Sequence, residues 1–496
     1  MSEPVTEPAD PWPDSPYPQL VQLLAGDPRR RRRWWRIGGA AVTAVLAATA
    51  FLVALSWPGA EPAGTAIPFR PLDQLRQLDF AEPTGNTFSQ LVGSTAYLAW
   101  QQGDDLELAA LDLAAGGEEL WRSRIAGADG QWWGELLATP AAVVALGYPN
   151  EPDDPERDEP EPRPMVVLDA ATGGERYRWG RDIYPYDEVW VVGETLVLAD
   201  RAAGALRGLW LDTGVHRWVE PFRDRPGAAM AVVPVLGAEL LAAPSTWWGA
   251  PLAPAATAVD QVVMVGEDRT ARLVDLATGE VVGAAGTNVA GPDDFLLAYR
   301  GRLYVGAGGE GYQLWMRELA DLAAQPEHLY TSPDPQRWLA AVVPCAAELL
   351  CLLDRGPSDH RDTEVRVLDI SAERGRDPQR WARAVPQAEW LVPAGDWLLV
   401  GGGDPIVAGY SYSGDPVFTL PAGAAARIDA DNLLLFSEQP DDGAQDLALA
   451  GLPIAAQPDR VELGQVGGVH GQRCSWNDTY LVCPGDEGAR IWRFRQ

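Results

Sequence analysis

Leu211-Asp212-Thr213-Gly214-Val215-His216-Arg217-Trp218 is the stretch that decides the fold, because variants of it return along the chain. An Asp after apolar residues leads into Thr-Gly or Gly-Gly, and an aromatic often stands four residues beyond the Gly. Earlier copies are Leu111-Asp112 with Gly117 and Trp121, and Leu168-Asp169 with Thr172-Gly173, Tyr177 and Trp179. A later copy is Val274-Asp275 with Thr278-Gly279, and a worn one runs from Leu368-Asp369 to Trp381. Copies roughly 40–60 residues apart mark a propeller or array rather than a single enzyme core. Each copy is one supersecondary unit, so function is expected of the assembled ring or its loops.

The copy reads as the last hairpin of a β-blade. Asp and Thr side chains bond nearby backbone amides, and Gly supplies the positive φ of a tight turn. The aromatic then buries a large ring against the neighbouring unit. Upstream lie short apolar runs broken by turn residues, such as Val189-Trp190-Val191-Val192 and Leu196-Val197-Leu198 around Gly193-Glu194-Thr195. Such runs are strands in hairpins, so each unit is expected to be a four-stranded antiparallel meander. Windows fall near 88–125, 131–183, 188–223, 229–288, 293–333, 336–385, 388–423 and 425–466, with a shorter stretch at 470–496. That last stretch has room for three strands, and residues 72–80 can supply the fourth and close the ring. Because propellers typically have about four to eight blades, the expectation is an all-β fold of about eight, with seven to nine open.

These residues resemble the tryptophan-docking repeat of the PQQ-like β-propeller family, whose phrase runs Asp, two or three residues, Thr-Gly, three residues, Trp. Gly214 and Trp218 keep that spacing, Gly173 places Tyr177 there, and Gly279 places Gly283 there without an aromatic. The repeat residues that carry the resemblance are Asp112, Trp121, Asp169, Gly173, Trp179, Asp212, Gly214, Trp218, Asp275 and Gly279. The family holds quinone-dependent dehydrogenases and also non-enzymatic scaffolds such as the outer-membrane assembly lipoproteins called BamB. Fold does not decide between them.

Residues 1–36 are expected to be a disordered cytoplasmic tail, rich in Pro and acid and ending in an Arg cluster at 29–33. Residues 37–57 carry no charge and are long enough to span a hydrocarbon core of about 30 Å as a transmembrane helix. The arginines in front place the N-terminus in the cytoplasm. A cleaved signal peptide is the rival, but the apolar stretch exceeds the usual ~7–15 residues. A linker at 58–66 and an extracytoplasmic propeller at 67–496 follow. No lipobox Cys stands near the anchor, a departure from the lipoprotein scaffolds. Of the four cysteines, Cys345 with Cys351 and Cys474 with Cys483 each flank a short turn. Two local disulfides in an oxidising compartment are expected. Metal binding is the alternative, but CxxC spacing is absent.

The formal net charge is -31, from 70 acidic residues against 39 basic ones, and no Lys occurs. So acidic a chain repels nucleic acid. His216, His328, His360 and His470 are scattered without a metal-site spacing. No G-x-S-x-G elbow and no phosphate loop followed by Lys-Ser/Thr occurs. The adjacent cysteines of the alcohol-oxidising quinoproteins are missing too, so no catalytic, cofactor or metal residue is assigned. The function expected is a non-catalytic scaffold, anchored in the cell membrane through 37–57, that binds an envelope protein or peptide through its loops. A PQQ-dependent dehydrogenase acting on an alcohol or sugar is the alternative. The residues expected to touch a partner are Trp247 with Trp248 and Trp132 with Trp133, and loop tyrosines at 184, 186, 410 and 412 are further candidates.

Overall fold

In a computed structural model the chain folds as a β-propeller. The structure describes residues 68–495 except 82, 129, 148–162, 184–186, 202, 222–229, 242–258, 292–293, 308–310, 358–361, 373–375, 403–405, 422–423, 438–443 and 455–459. Strands of five to ten residues and one of two, Ser475–Trp476, form seven four-stranded sheets and one of eight strands. The eight-stranded sheet is two meanders, 230–286 and 295–331, zipped together at one end of their first strands. There Val235 pairs in parallel with Ala298, and Leu236 with Tyr299. Counted by meanders the described residues form nine blades, so the expected eight matches the sheets and not the blades. We number them 1 (87–125), 2 (133–183), 3 (188–221), 4 (230–286), 5 (295–331), 6 (338–384), 7 (390–421), 8 (424–470) and 9 (475–493).

Blade 9 has only three strands of its own. Its fourth is Asp73–Asp79, which runs antiparallel to Gly488–Arg493 with Leu78 opposite Ala489. The two ends of the domain therefore share one sheet, as the sequence predicts. Apolar clusters confirm the circle. Leu136 and Val143 of blade 2 pack on Leu108 and Trp121 of blade 1, and equivalent clusters fill every seam to that between blades 8 and 9. A further cluster joins Val482 and Ile491 of blade 9 to Leu98 and Trp100 of blade 1, with Phe80 stacked on Trp100 at 4.5 Å. An open row of nine has eight seams. The ninth exists only because the row is closed, which removes the exposed end blades.

First strands lie against first strands of the next blade, as for Thr87–Val92 with Trp133–Ala138, so they line the axis. Last strands form the rim and are mostly exposed, as in Glu118–Ile125, where only Trp121 and Ile125 are buried. In a meander the turns after strands one and three lie at one end of the ring, here called the repeat end. The turns after strand two and the links between blades lie at the other. Among the described residues no helix is long and apolar enough to cross a membrane, and residues 37–57 lie outside the described set.

Candidate interaction surface

The repeat residues build the seams. Asp169 Oδ1 accepts from the Thr172 amide and hydroxyl, both at 2.9 Å, and Asp275 Oδ1 does the same with Thr278 at 2.8 and 2.9 Å. Asp112 Oδ1 accepts from Ala114 N at 2.9 Å. The Arg176 guanidinium, then the Thr172 bonds, hold the Asp169 carboxyl at about 2. Each turn exposes a positive-φ glycine, and the aromatic of the preceding blade lies on it: Trp121 on Gly173, Tyr177 on Gly214 and Trp218 on Gly279. Trp121 Nε1 also donates to Ala170 O at 2.8 Å. Asp212 stands in the turn that carries Gly214, and Trp179 meets His216 edge-on at 5.8 Å.

At two of the seams another group stands in the aromatic's place. Blade 4 has Gly283 in its place, and the turn of blade 5 closes onto it: a Cβ there would stand 2.9 Å from Ala320 O, and Ala284 bridges Asp321 in parallel. At the closing seam Arg76 lies on Gly117 and donates to its carbonyl at 2.7 Å. Both disulfides form, each between the first two strands of its blade or their approach: Cys345–Cys351 in blade 6 and Cys474–Cys483 in blade 9.

The residues expected to meet a partner separate. Trp132, in the link from blade 1 to blade 2, is 48% exposed at the end opposite the repeat turns. Trp133 begins the first strand of blade 2, is 1% exposed and donates from Nε1 to Asp104 O at 3.0 Å. It is a core residue, which corrects its assignment. The strand begins between the two, so Trp132 stays in the exposed link while Trp133 enters the packed blade. Trp247, Trp248, Tyr184 and Tyr186 lie outside the described residues. Tyr410 is buried beside Trp381, at 6.1 Å between ring centres. His328 bonds Thr331 and His470 bonds Asp486, each at 2.8 Å. Asn477 Oδ1 accepts from the amides of Thr479 and Tyr480, and its Nδ2 donates to Gly93 O, so Asn477 ties the turn between the first two strands of blade 9.

Tyr412, one of the loop tyrosines singled out from the sequence, leads to a further feature of the repeat end. A groove of about 500 Å³ runs along the seam between blades 6 and 7, lined by Arg380, Trp381, Asp396, Ser411, Tyr412 and Ser413. Here the turn is Ser411-Tyr412-Ser413-Gly414-Asp415, with Ser where other copies have Asp. Ser411 Oγ and Ser413 Oγ are 2.7 Å apart, and Ser413 donates to Asp415 Oδ2 at 2.8 Å. Trp381 still docks, with its Cγ 2.9 Å from where a Gly414 Cβ would be and its Nε1 donating to Tyr412 O at 3.1 Å. Tyr412 turns inward and donates its hydroxyl to Cys345 O. Burial pushes that phenol far above its ordinary range, and it holds its proton. Behind it, burial pushes the Arg427 guanidinium down to about 10, and Arg427 donates to Pro393 O at 2.6 Å. The groove thus offers an indole wall, serine hydroxyls and a carboxylate over a rigid floor. The signal that could have found it is the lost Asp at Ser411.

No protein-family model and no curated protein matches the sequence. Among solved structures, BamB from Moraxella catarrhalis is similar at 12% identity and a TM-score of 0.38, over 85% of this chain and 98% of that one. The computationally designed Ika8 protein is similar at 14% and 0.42, over 74% and 97%. The C-terminal WD40 domain of Sif2 is similar at 8% and 0.41, over 86% and 99%. At these levels strand order and seam packing carry the assignment of the fold.

Proposed function

We propose that the chain is a PQQ-like β-propeller of the non-enzymatic, BamB-like kind, a scaffold that binds a protein partner at its repeat end. In this reading residues 1–36 are cytoplasmic, 37–57 cross the cell membrane and the ring stands outside. The observation that carries it is the groove at the seam of blades 6 and 7, an accessible aromatic and polar surface held by packed blades. A rigid scaffold presenting variable turns is what binding needs. The two disulfides support an oxidising compartment.

The test is site-specific photo-crosslinking in cells that make the full chain. A benzophenone side chain at Ser413 should give one discrete adduct, absent when the probe replaces Leu120 on the rim of blade 1. No adduct, or the same adducts from both positions, overturns the reading. The location is tested apart from it. Alkaline phosphatase fused after Gln496, which needs its own disulfides, should be active, and inactivity removes the external placement.

A further inference from the structure

Resting on that groove, we infer that it takes a cationic side chain, Arg or Lys, from an extended basic segment of a protein partner. Two charged residues line it, and they are not equivalent. Arg380 is spent within its own blade: its Nε and Nη2 donate to Asp369 Oδ2 at 3.1 and 2.7 Å. Against the cost of burial, hydrogen bonds from Ser371 and Arg380 hold the Asp369 carboxyl low, so this pair stays ionised and neutral overall. Asp396, in the turn between the first two strands of blade 7, forms no ion pair among the described residues.

The surroundings repeat the sign. Asp415 at the edge of the groove receives a serine hydroxyl and no cation among the described residues. The adjoining turn of blade 8 adds Asp431. It is in contact with the Asp396 turn, since a Cβ on Gly395 would stand 2.6 Å from Ala430 O. Asp429 of that turn is paired with Arg495 at 2.7 Å. Arg376 and Asp377 offset each other in the preceding turn of blade 6, and Arg383 stands over the Tyr410 ring at 5.2 Å. A guest is therefore met by the exposed carboxylates of Asp396 and Asp415 beside the Trp381 indole, while the Arg427 guanidinium stays buried behind Tyr412. An aromatic face attracts a guanidinium or ammonium, and a nearby carboxylate adds to it. The formal charge of -31 steers the same guest from a distance. An acidic segment would bring like charge to Asp396, which costs binding.

The probe is a hexa-arginine amide titrated onto the full chain in phosphatidylcholine nanodiscs at low salt, read by calorimetry. Asp396→Asn should weaken binding about two- to fivefold, while Glu118→Gln, an equal loss of charge on blade 1, should change it less than about 1.5-fold. Circular dichroism melts of both variants should overlay the parent. Equal losses in the two variants would mean that overall charge alone binds the peptide, and no loss in Asp396→Asn would mean the groove is not its site. Either result overturns the inference. A discrete Ser413 adduct obtained alongside such a result leaves the scaffold reading standing with a guest of different chemistry, so the two can fail separately.

Discussion

A methyl group on Gly173 would stand 2.4 Å from Cε3 of Trp121: the glycine of blade 2 is the floor on which the tryptophan of blade 1 rests. Gly173 also has φ of 70°, a region that costs an L side chain roughly 1–2 kcal/mol. Forcing a ring off its seat in a packed interior costs about 1–3 kcal/mol more. Gly173→Ala should therefore destabilise the domain by about 2–5 kcal/mol. Gly193→Ala has a φ of 55° but nothing within 4 Å, so it should show only the backbone part. Denaturant melts of the two variants compare them directly. Equal midpoints would mean that the Trp121 contact contributes nothing.

The seam between blades 5 and 6 holds a buried ion cluster. Asp354, fully buried, accepts from Arg337 Nε and Arg366 Nε at 2.7 Å each and from the Tyr312 hydroxyl at 3.0 Å. Removing the shared anion leaves two buried guanidinium groups with only the more exposed Asp362, 3.0 Å from Arg337, and Glu364, beside Arg366, as counter-charges. Asp354→Ala should cost about 3–5 kcal/mol. Replacing the whole trio by apolar residues of similar volume should cost less, because the carboxylates left behind, Asp362 and Glu364, reach solvent. If Asp354→Ala melts within 1 °C of the parent, the cluster is reached by solvent and the account fails.

What could be read in advance follows the range of the interactions concerned. The Asp-to-Gly turns, the strand runs and the cysteine hairpins are local, and so is the alternation that sets them. Closure by residues 72–80 was legible because an incomplete meander needs a fourth strand. The separation of Trp132 from Trp133 depends on strand register, which one sequence leaves open. The parallel zip of blades 4 and 5 and the Asp354 cluster join residues far apart in the chain. Of the groove's lining only Tyr412 was legible as a contact, for a different reason. With Ser411 in place of Asp, its turn no longer matches the repeat, although Trp381 keeps its seat on Gly414.

Glu188 gives stability a dependence on pH. It opens the first strand of blade 3; its Oε1 accepts from Arg201 at 3.0 Å, and its buried Oε2 has no partner. Burial raises its carboxyl to about 7 from 4.5, Arg201 opposes this, and the neighbouring Asp187 adds to it. The folded carboxyl holds its proton more tightly than the unfolded one. The contribution is fully present below about 4.5, falls as pH rises and is gone above about 7. It amounts to about 3 kcal/mol at most. Glu188→Gln should therefore flatten the melting temperature between pH 5 and pH 7 and raise it at pH 8. A parent whose melting temperature is flat over that interval contradicts the raised carboxyl.

The two disulfides are alike in chemistry and unlike in place. Cys345 and Cys351 are six residues apart inside blade 6, whose four strands are consecutive in the chain. Cys474 and Cys483 are nine apart in blade 9, the only blade completed by a distant segment. Chain entropy assigns each loop a similar stabilisation, about 2–3 kcal/mol. Blade 9 has a second dependence, because opening it also releases Asp73–Asp79 and the Phe80–Trp100 stack that seals the ninth seam. The paired Cys474→Ser, Cys483→Ser variant should therefore speed amide exchange in Tyr480–Pro484 and in Asp73–Asp79 together, with little change in blade 3. The Cys345→Ser, Cys351→Ser variant should confine its effect to blades 5 to 7. If exchange in Asp73–Asp79 stays at the parent rate when the Cys474–Cys483 bond is removed, the joined strand is held by its own pairing with Gly488–Arg493, and the bridge does not guard the closure.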